Sequence, residues 1–405
     1  MAKRNPQQPA EGIIETAANL ASVSGVGALS ARAVAQRAGL SPSAVNYHLG
    51  GREGLVRALQ SRIRDEFEKW AETRFEALAG LPADLMSPAA LVASIIADLA
   101  TQPWTITMIE FGELHGRESD PEDFADVQWL SMAPFWRRLL ERFQVNDLAE
   151  EAWRILALGA LSLALLDTDA LVRSVWLSQV VHRTAERLSG RRRFDRIEPS
   201  ETEAPAVVSS NQPEGRRRII ETSIRLIGEH GLADLTHRQV AAESGLSLAA
   251  TTYFFKTKDE MIFEAFRELH RRVFARLASG NRDPANSLSN LLLTKGGDPH
   301  WEVGAMRALY TAAVRDPALR PFAMDLRRVR GLGSLRWLAS AGVTDIDRTD
   351  GLIWSLIIGG LFQAALLVPK RQRRTYIDRT AKRLLQTLFL GADDADGATG
   401  VSGPA

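Results

Sequence analysis

The sequence predicts an all-α protein built from two tandem homologous units. Three observations predict it. A long phrase near the N-terminus is written again later in the chain, apolar residues recur at three- and four-residue spacing almost throughout, and alternating apolar–polar runs bounded by turns are scarce. The repeated phrase runs from "IIETAANLASVSGVGALSARAVAQRAGLSPSAVNY" to "IIETSIRLIGEHGLADLTHRQVAAESGLSLAATTY" without a gap, from Ile13 to Ile219. Ile14, Glu15, Thr16, Leu20, Gly25, Leu29, Arg32, Val34 and Ala35 all recur, as do Gly39, Leu40, Ser41, Ala44 and Tyr47. Two copies, each in a unit of roughly 190 residues, are too long a period for a solenoid and indicate two domains with separate cores.

In chain order, "GIIETAANLASV" has the apolar spacing of an amphipathic helix. Ser30 stands where a side chain caps the next helix, "ARAVAQRA". Gly39 supplies the left-handed exit, and Ser41 caps a second short helix to Leu49. In the second copy Thr236 and Ser247 cap and Gly245 turns. Val34, Leu40 and Val45 are expected to form the unit's small core, with Leu40 inward. The helical pattern continues through "LVRALQSRIRDEFEKWAETRFEAL" and "VQWLSMAPFWRRLLERF", giving about nine helices per half.

Residues 189–215 are rich in Pro, Ser and Glu and lack an apolar period, so they read as a linker with a reach of roughly 25–30 Å. Residues 391–405 read as a disordered tail. The expected organisation is a helix-turn-helix unit at 10–56, a larger helical domain at 57–188, the linker at 189–215, a second pair of the same domains at 216–262 and 263–390, and the tail at 391–405.

Composition is that of a soluble globular protein, with 45% hydrophobic and 24% charged residues. Cysteine is absent, which excludes disulfides and thiol catalysis and suits a cytoplasmic location. The N-terminus lacks an apolar signal core, and Ile353–Val368, with Gln363 near its middle, reads as a buried helix rather than a membrane span. Net charge is +1, yet residues 1–64 hold eight Lys and Arg against three Asp and Glu. No paired-acid, nucleophile–base or phosphate-loop pattern stands out, and the seven His show no metal spacing, so neither an enzyme nor a metal or cofactor is expected.

Two capped helices around a Gly turn match the helix-turn-helix plan, whose second helix lies in the major groove. Stepping 100° per residue from an inward Val45 turns Ser43 and Tyr47 outward, flanked by Ala44 and Asn46. In the second copy Ala249 and Tyr253 point outward, flanked by Ala250 and Thr252. Asn46 suits a bidentate contact to adenine, and Thr252 a phosphate or a thymine methyl. The tyrosines and the capping hydroxyls suit phosphate, as do Arg52 and Lys258 at the start of the following helix.

These residues resemble the tetracycline-repressor (TetR/AcrR) family of transcriptional regulators. The resemblance rests on Ser30, Arg32, Val34, Ala35, Ala38, Gly39, Leu40, Ser41, Tyr47, His48, Glu53 and Leu55 in one copy. In the other it rests on Thr236, Arg238, Val240, Ala241, Gly245, Leu246, Ser247, Tyr253, Phe255, Lys258, Asp259 and Met261. Copy one departs with Leu49 in place of Phe, Gly50-Gly51 before the long helix, and Arg52 in place of Lys; copy two crowds Tyr253, Phe254 and Phe255 together.

The resemblance implies a repressor of double-stranded DNA released by a small-molecule effector, with dimerisation through the last two helices of each unit. Both halves carry such helices, and Gly159, Gly359 and Gly360 would let them pack closely, so an intramolecular pseudo-dimer is expected, with a further homodimer as the competing assembly. Differences between the copies (Asn46 against Thr252, Ser43 against Ala249, His48 against Phe254) imply an imperfectly symmetric operator. Trp104, Met108, Phe111, His115, Trp129 and Phe135, and in the second half Trp301, Met306 and Tyr310, are candidate lining for an apolar ligand pocket. The rival reading is a protein-interaction module of the same fold with weakened DNA binding.

Overall fold

The computed structural model describes residues 7–118, 128–191, 193–194, 212–232, 235–278 and 284–391. Most of the expected linker and tail lies outside these residues. The described chain is helical, with one isolated antiparallel bridge between Leu293 and Pro299 and no strand. The first half contains α1 (Gln7–Ser24), α2 (Ala31–Ala38), α3 (Pro42–Leu49), α4 (Gly51–Ala79), α5 (Pro88–Leu99), α6 (Thr105–Glu118), α7 (Ala133–Leu140), α8 (Asp147–Ala164) and α9 (Ala170–Leu188). The second half contains α10 (Glu214–His230), α11 (His237–Ser244), α12 (Leu248–Phe254), α13 (Lys258–Ala278), α14 (Pro284–Leu292), α15 (Trp301–Arg315), α16 (Arg320–Val329), α17 (Leu332–Ser340), α18 (Arg348–Leu366) and α19 (Arg373–Leu385).

In each half the first three helices form a small head whose core is made largely by residues the repeat preserves, with Ser223 and Thr251 standing buried in the second head where Ala17 and Val45 stand in the first. Ile13, Ala17, Val34, Ala35 and Val45 are buried in the first head, and Ile219, Val240 and Ala241 in the second. Leu40 corrects the expectation: it is 41% exposed, because α1 closes the core between α2 and α3 without it. The segment "VQWLSMAPFWRRLLERF" is also not one helix. Met132 takes a left-handed φ of 51°, so a short 3-10 turn at Gln128–Ser131 is set off from α7.

The two halves meet through α8 and α9 against α18. A Cβ built on Gly159 would overlap the carbonyl oxygen of Leu356, and one on Gly360 would overlap that of Ile155, so the two backbones are in direct contact. Gly359 is less tightly held: a built Cβ would lie 3.7 Å from the Arg330 side chain and 3.8 Å from the Gly159 Cα across the contact. Polar groups fix the register. Gln363 donates to the Leu158 carbonyl at 3.1 Å and to Ser162 Oγ at 2.9 Å. Arg187 forks onto Asp350 at 3.1 and 2.9 Å, and Arg183 reaches Asp350 at 3.2 Å and Asp347 at 3.1 Å. These charges are almost fully buried, so each needs the other, and a slipped register would leave them unpaired. The long apolar helix α18 has the length and composition to cross a membrane but spends its apolar surface on this contact.

Candidate functional site

Each head presents α3 or α12 through local hydrogen bonds. Ser30 Oγ accepts the Ala33 N–H and Ser41 Oγ accepts the Ala44 N–H; Thr236 and Ser247 accept from Gln239 and Ala250. Gly39 and Gly245 take left-handed φ values of 67° and 66°. A hydroxyl that accepts a capping bond keeps its own O–H, so all four caps retain a donor to offer outward.

Val45 and its counterpart Thr251 are fully buried, which fixes the outward faces as their helical spacing requires. Tyr47 is 87% exposed and Tyr253 81%, the two most exposed large apolar side chains among the described residues. Ser43, Asn46, Ala249 and Thr252 are exposed, and Ala44, Ala250 and His48 half-buried. The His48 ring meets Tyr47 edge-on at 5.2 Å, as Phe254 meets Tyr253 at 5.4 Å. Thr252 Oγ1 donates to the Leu248 carbonyl at 2.9 Å, leaving mainly its methyl outward. The crowded aromatics of copy two separate by role: Phe255 is buried, Phe254 packs beside Gly215, and Tyr253 stands out. Arg32, Arg52 and Arg238 are exposed.

The helix starts that follow are built differently. In copy two Thr257 Oγ1 accepts the Glu260 N–H at 3.1 Å, and Glu260 accepts the Lys256 N–H at 2.6 Å, a reciprocal cap. Copy one replaces it with two left-handed glycines, Gly50 at φ 71° and Gly51 at 85°. Gly54 then stands where any Cβ would overlap the Leu49 carbonyl oxygen. Lys258 is placed differently from Arg52. Its Nζ donates to the Leu232 carbonyl at 2.7 Å and the residue is half-buried, so one of its donors is used within the head.

The candidate pocket residues separate. Trp104, Trp129 and Phe135 join Phe67 and Trp70 in a packed aromatic cluster with ring centroids 5.3–6.2 Å apart. Phe111 is fully buried, Met108 borders a void of about 20 Å³, His115 lies near Arg373, and Trp301 stacks on His300. Met306 and Tyr310 do line a cavity, one of about 180 Å³ in the second half, roofed by Ile106, Ile109 and Leu165 of the first.

Of the cavity's polar groups, sequence reasoning reaches Tyr310 but not Arg330, Ser334 or His270. Arg330 lies in it and donates from Nε to Ser355 Oγ at 3.2 Å, with its guanidinium 5.6 Å from the Tyr310 ring centre. Burial pulls the Arg330 guanidinium below its ordinary pKa and pushes the Tyr310 phenol up. Burial, helped by repulsion from Arg330, brings His270 down to about 4, so its imidazole is neutral at pH 7. Arg307 also borders the cavity, but its Nε is paired with Glu113 at 2.6 Å. Nothing in the run "RRVR" marks Arg330 as the inward one; long-range packing decides it.

The model of bacterial regulatory proteins of the tetR family matches residues 13–59 and 219–265. The HTH-type transcriptional regulator BetI of Brucella abortus (strain 2308) is 31% identical over 104 residues, which cover 26% of this chain and 46% of the relative. BetI of Agrobacterium fabrum (strain C58 / ATCC 33970) is 28% identical over 115 residues, 27% of this chain and 56% of the relative. The chain thus spans about half the length of the curated relatives it matches. Solved structures of multidrug binding protein EbrR, complexed with ethidium and with malachite green, are 31% identical. They cover 41% and 42% of this chain and 98% of theirs, at TM-scores of 0.31 and 0.32.

Proposed function

We infer, for a chain that belongs to the tetR family of bacterial regulatory proteins and carries the family's regulatory unit twice, that it is a sequence-specific DNA-binding transcriptional regulator. It acts as a repressor, released from its operator by a small, largely apolar ligand in the second-half cavity. The two heads, residues 10–56 and 216–262, work as an intramolecular pseudo-dimer held by the helical domains 57–188 and 263–390. The tether makes their docking intramolecular, so the two-headed geometry does not depend on protein concentration.

The observation that carries this reading is the pair of exposed tyrosines, Tyr47 and Tyr253, at equivalent places on two capped second helices. Each tyrosine stands on the outward face of its capped helix with its hydroxyl free to reach a phosphate, the kind of contact that positions a head on a duplex. Beside them the heads differ. Asn46 offers an amide with donor and acceptor on one edge, and Thr252 offers chiefly a methyl. Two half-sites of different sequence follow.

Footprinting on DNA upstream of the protein's own gene, repeated across salt concentrations, tests the reading. Two unequal protected half-sites are expected, with affinity falling steeply from about 50 to 200 mM salt as phosphate contacts release counterions. Tyr47→Ala and Tyr253→Ala should each weaken one half-site. Absent or salt-independent binding would return the chain to a protein-interaction role, and equal protection of two identical half-sites would remove the asymmetry.

A further inference from the structure

The second-half cavity contains a charge that the protein itself does not neutralise. Its walls are chiefly apolar, with Val303, Met306, Ile358 and Phe362 among them. Arg330 nonetheless places its guanidinium there. Its partners are the Ser355 hydroxyl and the Tyr310 side chain, and among the described residues no carboxylate pairs with it. Arg307, the other cation at the cavity, is already matched by Glu113. A buried guanidinium held only by neutral groups is costly, and an anion beside it recovers that cost.

Two further features face the same space. Ser334 is buried, lines the cavity, and its Oγ has no hydrogen-bond partner. It lies in the first turn of α17, which starts after Gly331 without a side-chain cap. The uncapped N–H groups and the helix dipole at that end favour negative charge. The arrangement is rigid. Gly331 has a left-handed φ of 89°, and a Cβ on it would come within 2.6 Å of the Leu352 backbone nitrogen, so the turn holding Arg330 rests directly on the α18 backbone.

We propose that this cavity is a binding site for an apolar organic acid, whose single carboxylate meets Arg330 and Ser334 at the start of α17 while its hydrocarbon body fills the apolar remainder. One uncompensated cation calls for a monoanion, and the apolar lining disfavours a phosphate or a sugar acid. A planar guanidinium suits a carboxylate's two oxygens. The proposal names the ligand class for the effector site of the preceding section and rests on that reading only for its regulatory consequence.

Calorimetric titration of the full chain tests it, using two acids of different shape, 2-naphthoate and octanoate, each against its own amide. Each acid is expected to bind at least tenfold more tightly than its amide. Arg330→Gln should abolish that preference, Arg330→Lys should keep part of it, and Ser334→Ala should reduce it. The acid-to-amide ratio in the unaltered protein decides the matter even if a variant fails to fold. An amide that binds as well as its acid, a preference that survives Arg330→Gln, or no binding by either acid overturns the proposal. A gel-shift assay on the upstream DNA, run separately, keeps the two readings apart. Acid preference without DNA binding sinks only the regulator, and DNA binding without acid preference sinks only the ligand class.

Discussion

The Arg315 guanidinium and the Glu110 carboxylate form a two-point ion pair between the halves, Nη1 to Oε1 at 2.6 Å and Nη2 to Oε2 at 2.8 Å. Arg315 also donates to the carbonyls of Ser22 and Ala21 at 2.8 and 3.1 Å, and Glu110 accepts the Val26 N–H at 3.0 Å. The C-terminus of α15 therefore grips the end of α1 in the first head. Its other end touches the second head, because a Cβ on Gly228 of α10 would meet the Trp301 carbonyl oxygen. Between these ends α15 carries Met306, Tyr310 and Val314 into the cavity. One helix thus touches the cavity and both heads, and a ligand that shifts it acts on both at once.

Arg315→Met should cut that link. Both partners are more than four-fifths buried, so removing one strands the other, at about 2 kcal/mol after discounting for residual solvent. A double-mutant cycle with Glu110→Gln in urea denaturation should give a coupling of at least about 1 kcal/mol. In footprinting, effector should still release the second half-site of Arg315→Met while releasing the first poorly. Equal release of both would show that α15 does not carry the signal.

Asn46→Ala should lower discrimination at one base position of a single half-site by about 1–3 kcal/mol and leave the other half-site unchanged. Asn46 is exposed and its amide makes no hydrogen bond to other described residues, so the change should leave the melting temperature in place. Binding to a series of single-base operator variants reads this directly. A uniform loss across all bases would mean that Asn46 touches phosphate instead.

The heads were legible in the sequence because their signals are local. A cap needs Ser30 three residues before Ala33, and a left-handed exit needs Gly39; both are written within one turn of chain. Leu40 departs from its expected inward place because its burial depends on where α1 packs, and α1 ends sixteen residues earlier in the chain. The interface glycines Gly159 and Gly360 are visible as small residues in apolar helices, and Gly359 sits between the Gly159 backbone and the Arg330 side chain, a second neighbour no local spacing announces. The cavity was hardly legible at all. Its wall draws on α6, α8 and every helix from α13 to α18, and no spacing along the chain encodes that meeting. Trp104, Trp129 and Phe135 had the same apolar signature as Met306, yet they fill their own half's core.

His270 should make the protein acid-labile over a defined window. Its folded pKa is about 4 against an ordinary 6.5, so the unfolded state takes up a proton first as pH falls. The contribution is intact above about pH 6.5 and is lost as pH falls towards 4, with a total approaching about 3 kcal/mol. Urea denaturation at pH 7 and pH 4.5 should show the drop, and His270→Gln should flatten part of it. An unchanged slope in His270→Gln would mean that the acid loss arises at other groups, such as His115 and His300, which burial also lowers.

The glycine pair between the halves gives the most demanding stability test. Gly159 of α8 and Gly360 of α18 each face a carbonyl of the opposite helix, and neither position has room for a methyl. The obstacle is backbone, which cannot rotate aside as a side chain can, so Gly159→Ala must push α8 and α18 apart. That separation would strain the Gln363 bonds to Leu158 and Ser162 and the buried Asp350 pair with Arg187, which depend on the same spacing. Overpacking in a close-packed core costs about 1–3 kcal/mol, and lost buried pairing adds to it, so a loss of about 3 kcal/mol or more is expected. Gly12→Ala is the control: the position is helical and exposed and has nothing within 4 Å of an added Cβ, so it should gain up to about 1 kcal/mol from helix propensity. Thermal unfolding of both variants, read by circular dichroism, separates the two effects. If Gly159→Ala melts with the unaltered chain, the two halves do not meet backbone to backbone, and the single-chain pseudo-dimer loses its structural basis.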